Sequence, residues 1–303
     1  MRTVIAIDLG SNSIRFLKMN CETKEFIDEF HTTVKTADNL ANTGVISTQA
    51  QERIIKAINQ AKEKIDFSDS TIKAVTTEAI RRANNSKEVL ENIKSQTGIA
   101  FEIINGDDEA KYALIATKNR LKLLGIEPKS FMLVDIGGAS TEMIFNYPDK
   151  YFAKSFPIGI VTITQSFKDI VEISDAIPAL MNPMREFCNE IYQKHGKVEK
   201  FIATAGTPTT LAAMKQGMEY ATYDASKIQG TLLTPKDLVE QLSKLLTMSS
   251  EDRTKTVGVG RADLIATGVL IYEELFSIGG FKESIVIDDG VREGVAYEGC
   301  KSN

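Results

Sequence analysis

Histidine is nearly absent from this chain: among 303 residues only His31 and His195 occur. That excludes a histidine-rich metal site and leaves catalysis to carboxylates, hydroxyls, arginines and backbone amides. Cysteine is scarce as well. Cys21, Cys188 and Cys300 are odd in number and far apart, with no zinc-ligand spacing, and the expectation they support is a reduced, cytoplasmic setting. No apolar run reaches the ~18 residues a membrane-spanning helix needs. The richest stretch, 264–281, is interrupted by Glu273 and Glu274. The N-terminus offers one basic residue, Arg2, then Thr3 to Ile7 and an acid, which reads as a short strand and not a signal peptide. There is no excess of positive charge: 36 basic against 41 acidic residues give a net charge of -5, so no global field draws nucleic acid. An anionic substrate must be held by local basic groups or backbone amides. No segment is low-complexity. With 43% hydrophobic and 25% charged residues, the composition is that of a folded soluble protein rather than a disordered, collagen-like or disulfide-framework chain. The length suits two domains at roughly 150 residues each.

What is present starts twice in the same way. Thr3 to Ile7 reads as a buried strand ended by Asp8-Leu9-Gly10-Ser11-Asn12-Ser13, followed by strands at 14–19 and 26–34. Phe131 to Val134 reads as a second buried strand ended by Asp135-Ile136-Gly137-Gly138-Ala139-Ser140-Thr141, followed by strands at 142–146 and 151–156. The two aspartates are offset by 127 residues, which marks an internal duplication of architecture. The boundary is placed near Gly125 to Lys129, giving domains 1–125 and 126–303. Helical periodicity predicts 47–65, with Ile54, Ile55, Ile58, Ala61 and Ile65 on one face and Ser47 or Thr48 as cap. Further helices are expected at 87–95, 107–124, 159–167, 174–195, 235–246, 262–276 and 290–297. Further strands are expected at 71–75, 99–104, 201–205 and 284–287.

Each small-residue turn has two readings. Glycine permits a tight turn and close backbone approach, and the amides and hydroxyls that follow can point at a phosphate. The alternative is an ordinary hairpin turn. The second copy is the stronger signal, because two adjacent glycines precede Ser140, Thr141 and Glu142. In a strand–turn–strand hairpin Asp135 and Glu142 both face the turn, two hard oxygen ligands where Mg²⁺ binds with phosphate. Asp8 can hold a cation or a water beside the first turn. Arg81 or Arg82, in Thr77 to Asn85, can fork onto a phosphate, or form a solvated basic turn. Asp107, Asp108 and Glu109 open a helix; they cap it, or one carboxylate serves as a general base for water. Gly206 in a strand–helix turn and Arg261 before a late helix complete the candidates, with Asp288 to Gly294 a further turn. Arg15, Arg81, Arg82, Arg261 and Arg292 are the local cations available to a polyanion.

These segments resemble the exopolyphosphatase/guanosine pentaphosphate phosphatase family. The motifs are Asp8 to Arg15, Thr77 to Asn85, Gly106 to Ala110, Asp135 to Glu142, Gly206 to Ala213, Arg261-Ala262-Asp263 and Asp289 to Gly294, in family order across nearly the whole chain. The resemblance implies an α/β fold of two similar actin-like (ribonuclease H-like) domains with mixed five-stranded sheets flanking a cleft. It implies Mg²⁺-dependent phosphoanhydride hydrolysis at a chain end, with K⁺ as a monovalent activator. Carried over by position, Glu109 activates water. Gly10, Ser11, Asn12, Ser13, Arg15, Arg81, Gly137, Gly138, Ser140, Thr141, Gly206 and Arg261 bind phosphate, and Asp135, Glu142 and Asp8 are metal-linked. Ala139 stands where the family usually has a third glycine, and Thr162 where it often has arginine. Two histidines and the ending at Asn303 match the short form without the histidine/aspartate-rich extra domain.

The leading functional expectation is an exopolyphosphatase acting on inorganic polyphosphate. The alternatives are removal of the 5′ γ-phosphate of guanosine pentaphosphate, the stringent-response nucleotide, to give the tetraphosphate; an actin-like nucleotide-binding or filament protein; and a non-catalytic phosphate-binding regulator. No nucleic acid and no membrane is expected as partner, and a homodimer is expected from the family alone.

Overall fold

The computed structural model describes residues 2–301. The chain divides into two compact units, Met1–Ala116 with Asp289–Asn303, and Thr117–Asp288. This differs from a boundary after residue 125 in two respects. The division falls inside a helix, and the last residues return to the first unit. Packing explains the return: Val291, Val295, Ala296 and Tyr297 share one buried cluster with Val4, Ala6, Leu17 and Met19. The turn residues at 125–128 mark the end of a helix, not the end of a core.

The first unit contains β1 (Thr3–Leu9), β2 (Ser13–Asn20), β3 (Phe26–Thr33), α1 (Leu40–Thr43), α2 (Thr48–Lys64), β4 (Ser70–Thr76), α3 (Glu78–Arg82), α4 (Ser86–Thr97), β5 (Glu102–Ile103) and the start of α5 (Gly106–Leu123). Its sheet has the order β3-β2-β1-β4-β5, with β1 antiparallel to β2 and parallel to β4. Side chains alternate across a strand, so β1 supplies two cores at once. Ile5 and Ile7 join Ile54, Ala57, Ile58 and Ala61 of α2, while Val4 and Ala6 join the C-terminal cluster. Burial on both faces is why β1 reads as a continuous apolar run. Ser47 caps α2, its side chain accepting from the Ala50 amide at 3.2 Å. The strand expected over 99–104 is reduced to the two residues of β5.

The second unit contains β6 (Phe131–Ile136), β7 (Thr141–Asn146), β8 (Tyr151–Phe156), α6 (Ile160–Ser166), α7 (Ile170–Leu180), α8 (Asn182–His195), β9 (Lys200–Thr204), α9 (Gly206–Lys215), α10 (Ala225–Ile228), β10 (Leu232–Leu233), α11 (Pro235–Thr247), α12 (Ser250–Val257), α13 (Ile265–Gly279) and β11 (Ser284–Val286). Helix α14 (Val291–Gly299) belongs to the first unit. The sheet order is β10-β11-β9-β6-β7-β8. From β8 inward, β8-β7-β6-β9-β11 repeats the order of the first unit, and β10 adds a sixth strand where five were expected. The single helix expected over 174–195 is two, meeting at Met181 (φ −90°, ψ 5°) ahead of Pro183, which has no amide hydrogen to give.

The cysteines are not all free. Cys21, just past β2, and Cys300, just past α14, form a disulfide within the first unit, across a sequence separation of 279, and Cys188 stays free and buried. Spacing along the chain hid a pair that the return of α14 brings together. Among the described residues no helix is long and apolar enough to cross a membrane.

Candidate active site

The two small-residue turns have the same construction. The Gly10 amide donates to the Ser13 carbonyl at 2.9 Å, and the Gly137 amide donates to the Ser140 carbonyl at 2.9 Å. Neighbouring backbone takes up the turn carbonyls. Val34 and Lys35 donate to Asn12 O, and Ala37 donates to Ser11 O. In the second unit Ile160 donates to Gly137 O and Val161 to Gly138 O. The turn amides are treated differently. Those of Ser11 and Asn12, and of Gly138 and Ala139, have no hydrogen-bond acceptor among the described residues. A run of unpaired amides of this kind is an anion-binding concavity.

In the first unit, Asp8 lies directly across the ladder from Arg15. Burial pushes the Asp8 carboxyl up to about 6; Arg15 opposes the shift, Glu293 adds to it and Arg292 opposes it. Arg292 is buried and engaged: its Nε donates to Glu293 Oε1 at 2.6 Å, its Nη2 lies 2.7 Å from Glu29 Oε2, and its Nη1 donates to Phe16 O at 3.2 Å. This corrects its place among cations open to a polyanion. It pins α14 to the sheet.

The same unit assembles Arg81 and Glu109. Asn105 caps α5, its side chain accepting from the Asp108 amide at 2.9 Å, and acids fill the first turn as the helix dipole favours. Glu109 is only 8% exposed, which a plain surface cap would not be. Arg81 Nη1 donates to the Ile104 carbonyl at 2.5 Å and stands 3.8 Å from Glu109 Oε2. Its Nη2 is paired with Glu78, and Arg82 Nε lies 3.7 Å from the other Glu78 oxygen. Residues 78–82 form α3 rather than a loose basic turn. Glu78 is missing from the motif-based set, although its spacing of three and four residues from the two arginines is a helical pairing signal.

In the second unit, Asp135 and Glu142 are direct cross-strand partners, 9% and 1% exposed. Ser155, on β8 opposite Glu142, donates to Glu142 Oε1 at 2.6 Å. Thr141 is fully buried and its hydroxyl donates to the Ile158 carbonyl, so it braces the turn and points no hydroxyl at a phosphate. Gly159 backs the turn so closely that a Cβ there would stand 2.4 Å from Gly138 O. Thr162 closes the start of α6, accepting from the Gly159 amide at 3.2 Å and donating to its carbonyl at 3.0 Å. Ala139 is buried. After β9, Ala205 is held at φ 74°, ψ −173°, a conformation nearly reserved for glycine. Gly206 then opens α9, with the Arg261 guanidinium close over it: a Cβ at Gly206 would lie 3.7 Å from that group. The strain falls on an alanine, which no sequence signal marks.

For a metal, the fit is partial. Among the described residues no group of three or more His, Cys, Asp or Glu able to hold an ion is found, and the second unit supplies one close carboxylate pair, Asp135 and Glu142. Asp135 and Glu142 alone suit Mg²⁺, which is usually bound by one or two carboxylates and takes its other ligands from water and substrate phosphate. Two like charges facing across a ladder are destabilising, and a divalent cation removes that cost.

Two units with the same mixed-sheet order, each carrying the same aspartate–glycine turn, define an actin-like α/β protein. Within that class the chain belongs to the Ppx/GppA phosphatase family, whose model matches residues 22–303, and it is a phosphatase of that type. Exopolyphosphatase 2 of Mycobacterium tuberculosis is 26% identical, over 97% of this chain and 97% of its own length. The Aquifex aeolicus Ppx/GppA structure matches with a TM-score of 0.75 and 31% identity, over 98% of this chain and 99% of that one. An exopolyphosphatase structure from Cytophaga hutchinsonii, at 20% identity over 99% of this chain and 98% of that one, shares the fold with a TM-score of 0.84.

Proposed function

We propose that this protein is an exopolyphosphatase that hydrolyses the terminal phosphoanhydride of inorganic polyphosphate with Mg²⁺ as cofactor. The observation that carries the reading is the repeated turn with its unpaired amides at Ser11, Asn12, Gly138 and Ala139. Two such turns in one acidic chain answer the need for short-range anion binding without a basic surface. The exopolyphosphatase name of the Mycobacterium tuberculosis relative supports the substrate class.

In this reading Glu109 takes a proton from water as the water oxygen attacks the terminal phosphorus. The bond from that phosphorus to the bridging oxygen breaks, and the shortened chain leaves with the electron pair. Turn amides, Arg81 and Arg261 offset the charge on the phosphoryl oxygens, which is where catalysis of this reaction is concentrated. Asp135 and Glu142 would hold Mg²⁺, which supplies further charge to those oxygens. On location, the Cys21–Cys300 bond weighs against the cytoplasm expected from cysteine spacing, since stable disulfides are rare in reducing compartments.

The test is phosphate release from long polyphosphate and from guanosine pentaphosphate, each with and without Mg²⁺. Turnover of polyphosphate that falls about 10²-fold in Glu109→Gln is the expected result. Release from guanosine pentaphosphate alone would replace the substrate, and wild-type turnover in Glu109→Gln would remove Glu109 as base.

A further inference from the structure

Glu78 lies inside the Thr77 to Asn85 motif without being one of its expected phosphate ligands, yet both arginines of α3 turn to it. Arg81 Nη2 is paired with Glu78 Oε2, and Arg82 Nε stands 3.7 Å from Oε1. The Glu78 side chain is 14% exposed, so its charge acts in a partly dry setting. The other end of the Arg81 fork bonds the Ile104 carbonyl at 2.5 Å, immediately before the helix that carries Glu109, and lies 3.8 Å from the Glu109 carboxylate. Arg81 thus spans three groups: Glu78 on one side, the Ile104 carbonyl and Glu109 on the other. A guanidinium is planar and its donors have fixed directions. Holding Nη2 therefore orients Nη1.

Without an anion at Glu78, nothing on that side holds the fork, and Glu109 is the nearest remaining carboxylate to Arg81 in these contacts. A guanidinium drawn fully onto Glu109 would occupy the lone pairs needed to accept a proton from water. We infer that Glu78 is a positioning residue: it holds Arg81 so that the guanidinium fixes Glu109 without capturing it. The inference rests on the reading of Glu109 as the base. Its effect should fall mainly on the chemical step, since removing Glu78 deletes a negative charge, removes no cation, and shifts Arg81 toward Glu109.

The experiment compares Glu78→Gln, Glu78→Asp, Arg81→Gln, Glu78→Gln with Arg81→Gln together, and Glu109→Gln. Kinetics are measured on long-chain polyphosphate. In parallel, the rate at which phenylglyoxal modifies Arg81 is read by peptide mass spectrometry. Glu78→Gln should lower kcat about tenfold, the scale of one charge-assisted hydrogen bond, with KM within about twofold of wild type. Glu78→Asp, which keeps the charge, should recover most of that loss, and it serves as the reporter if Glu78→Gln melts early. In the Arg81→Gln background the Glu78 change should cost less than about twofold, because residues acting through one another are not additive. Arg81 should be modified several-fold faster in Glu78→Gln. Wild-type kcat with unchanged Arg81 modification in Glu78→Gln, or losses that multiply in the double variant, would overturn the role. Full turnover in Glu109→Gln would instead remove the base reading, and the Arg81 modification rate would still decide whether Glu78 holds the guanidinium.

Discussion

Opening the Cys21–Cys300 bond should destabilise the first unit without unfolding it. The bond joins the end of β2 to the end of α14, and α14 is held there independently by burial of Val291, Val295, Ala296 and Tyr297 and by the Arg292 contacts. The native contacts survive reduction, so the effect lies in the unfolded ensemble. The closed loop spans 279 residues in sequence. If the second unit stays folded while the first unfolds, the effective loop is about 110 residues, and chain-entropy reasoning gives about 5 kcal/mol; the full loop gives slightly more. Native disulfides commonly deliver less, so the expected loss is about 3–5 kcal/mol. With a urea slope near 2 kcal/mol/M this moves the midpoint down by about 1.5–2.5 M. The assay is urea unfolding followed by circular dichroism, with and without reductant, beside a Cys21→Ser/Cys300→Ser variant that reductant should leave unmoved. Thiol counting checks the premise. Cys188 is buried and its thiol is pushed up to about 11, so the native unreduced protein should show no reactive thiol, the denatured unreduced protein one, and the denatured reduced protein three. Three thiols before reduction, or equal midpoints with and without reductant, would refute the reasoning.

The two turns should differ in their tolerance of a methyl group. A Cβ at Gly137 would stand 2.8 Å from Ser140 O, whereas at Gly10 it meets Ser13 O at an ordinary 3.5 Å, so Gly137→Ala should cost far more activity than Gly10→Ala; equal losses in steady-state assays would contradict the geometry. Asp8, raised to about 6 from 3.8, binds more protons folded than unfolded, so its contribution to stability falls as pH rises through roughly 4 to 6. Asp8→Asn should therefore unfold later than wild type at pH 7, by up to about 3 kcal/mol, with the gap closing toward pH 4; a constant gap would show that the shift is absent. Mg²⁺ at about ten times its dissociation constant should stabilise the wild type by roughly 1.4 kcal/mol in thermal melts. That gain should vanish in Asp135→Asn and Glu142→Gln, and its persistence in both would remove the pair as the metal site.

The repeated strand–turn–strand pattern was legible because β1 and β6 are buried on both faces, and glycine marks their turns at Gly10 and Gly137. The buried carboxylate at Glu109 was legible only through family motifs; as a pattern of charges it looks like a helix cap, and its low exposure is a tertiary fact. The unit division was not legible. Whether Val291, Val295 and Tyr297 join one core or another depends on where the chain returns, which local periodicity does not encode. The break at Met181 was hidden for a related reason. Ile173, Ile177, Met184, Cys188 and Ile191 are all buried in one cluster, so the apolar phase runs on through the bend even though Pro183 stood in plain view. Arg292 shows the converse failure: an arginine beside a turn reads as a ligand group until its partners Glu293, Glu29 and Phe16 O are seen.

The duplication also shows how one turn can be put to two uses. Seven residues after each aspartate, on the facing strand, the first unit has Arg15 and the second has Glu142. Both turns share the glycine-to-serine backbone hydrogen bond at 2.9 Å. The charge at the facing position is opposite. Asp8 and Arg15 face each other with opposite sign, and Arg15 partly offsets the burial of the Asp8 carboxylate. Asp135 and Glu142 repel one another and are relieved only by a proton, a donor such as the Ser155 hydroxyl, or a cation. Ser155 gives its one hydroxyl hydrogen to a single Glu142 oxygen. The single difference in sign leaves the like-charged pair to the second turn alone, with no need for the two units to differ in fold.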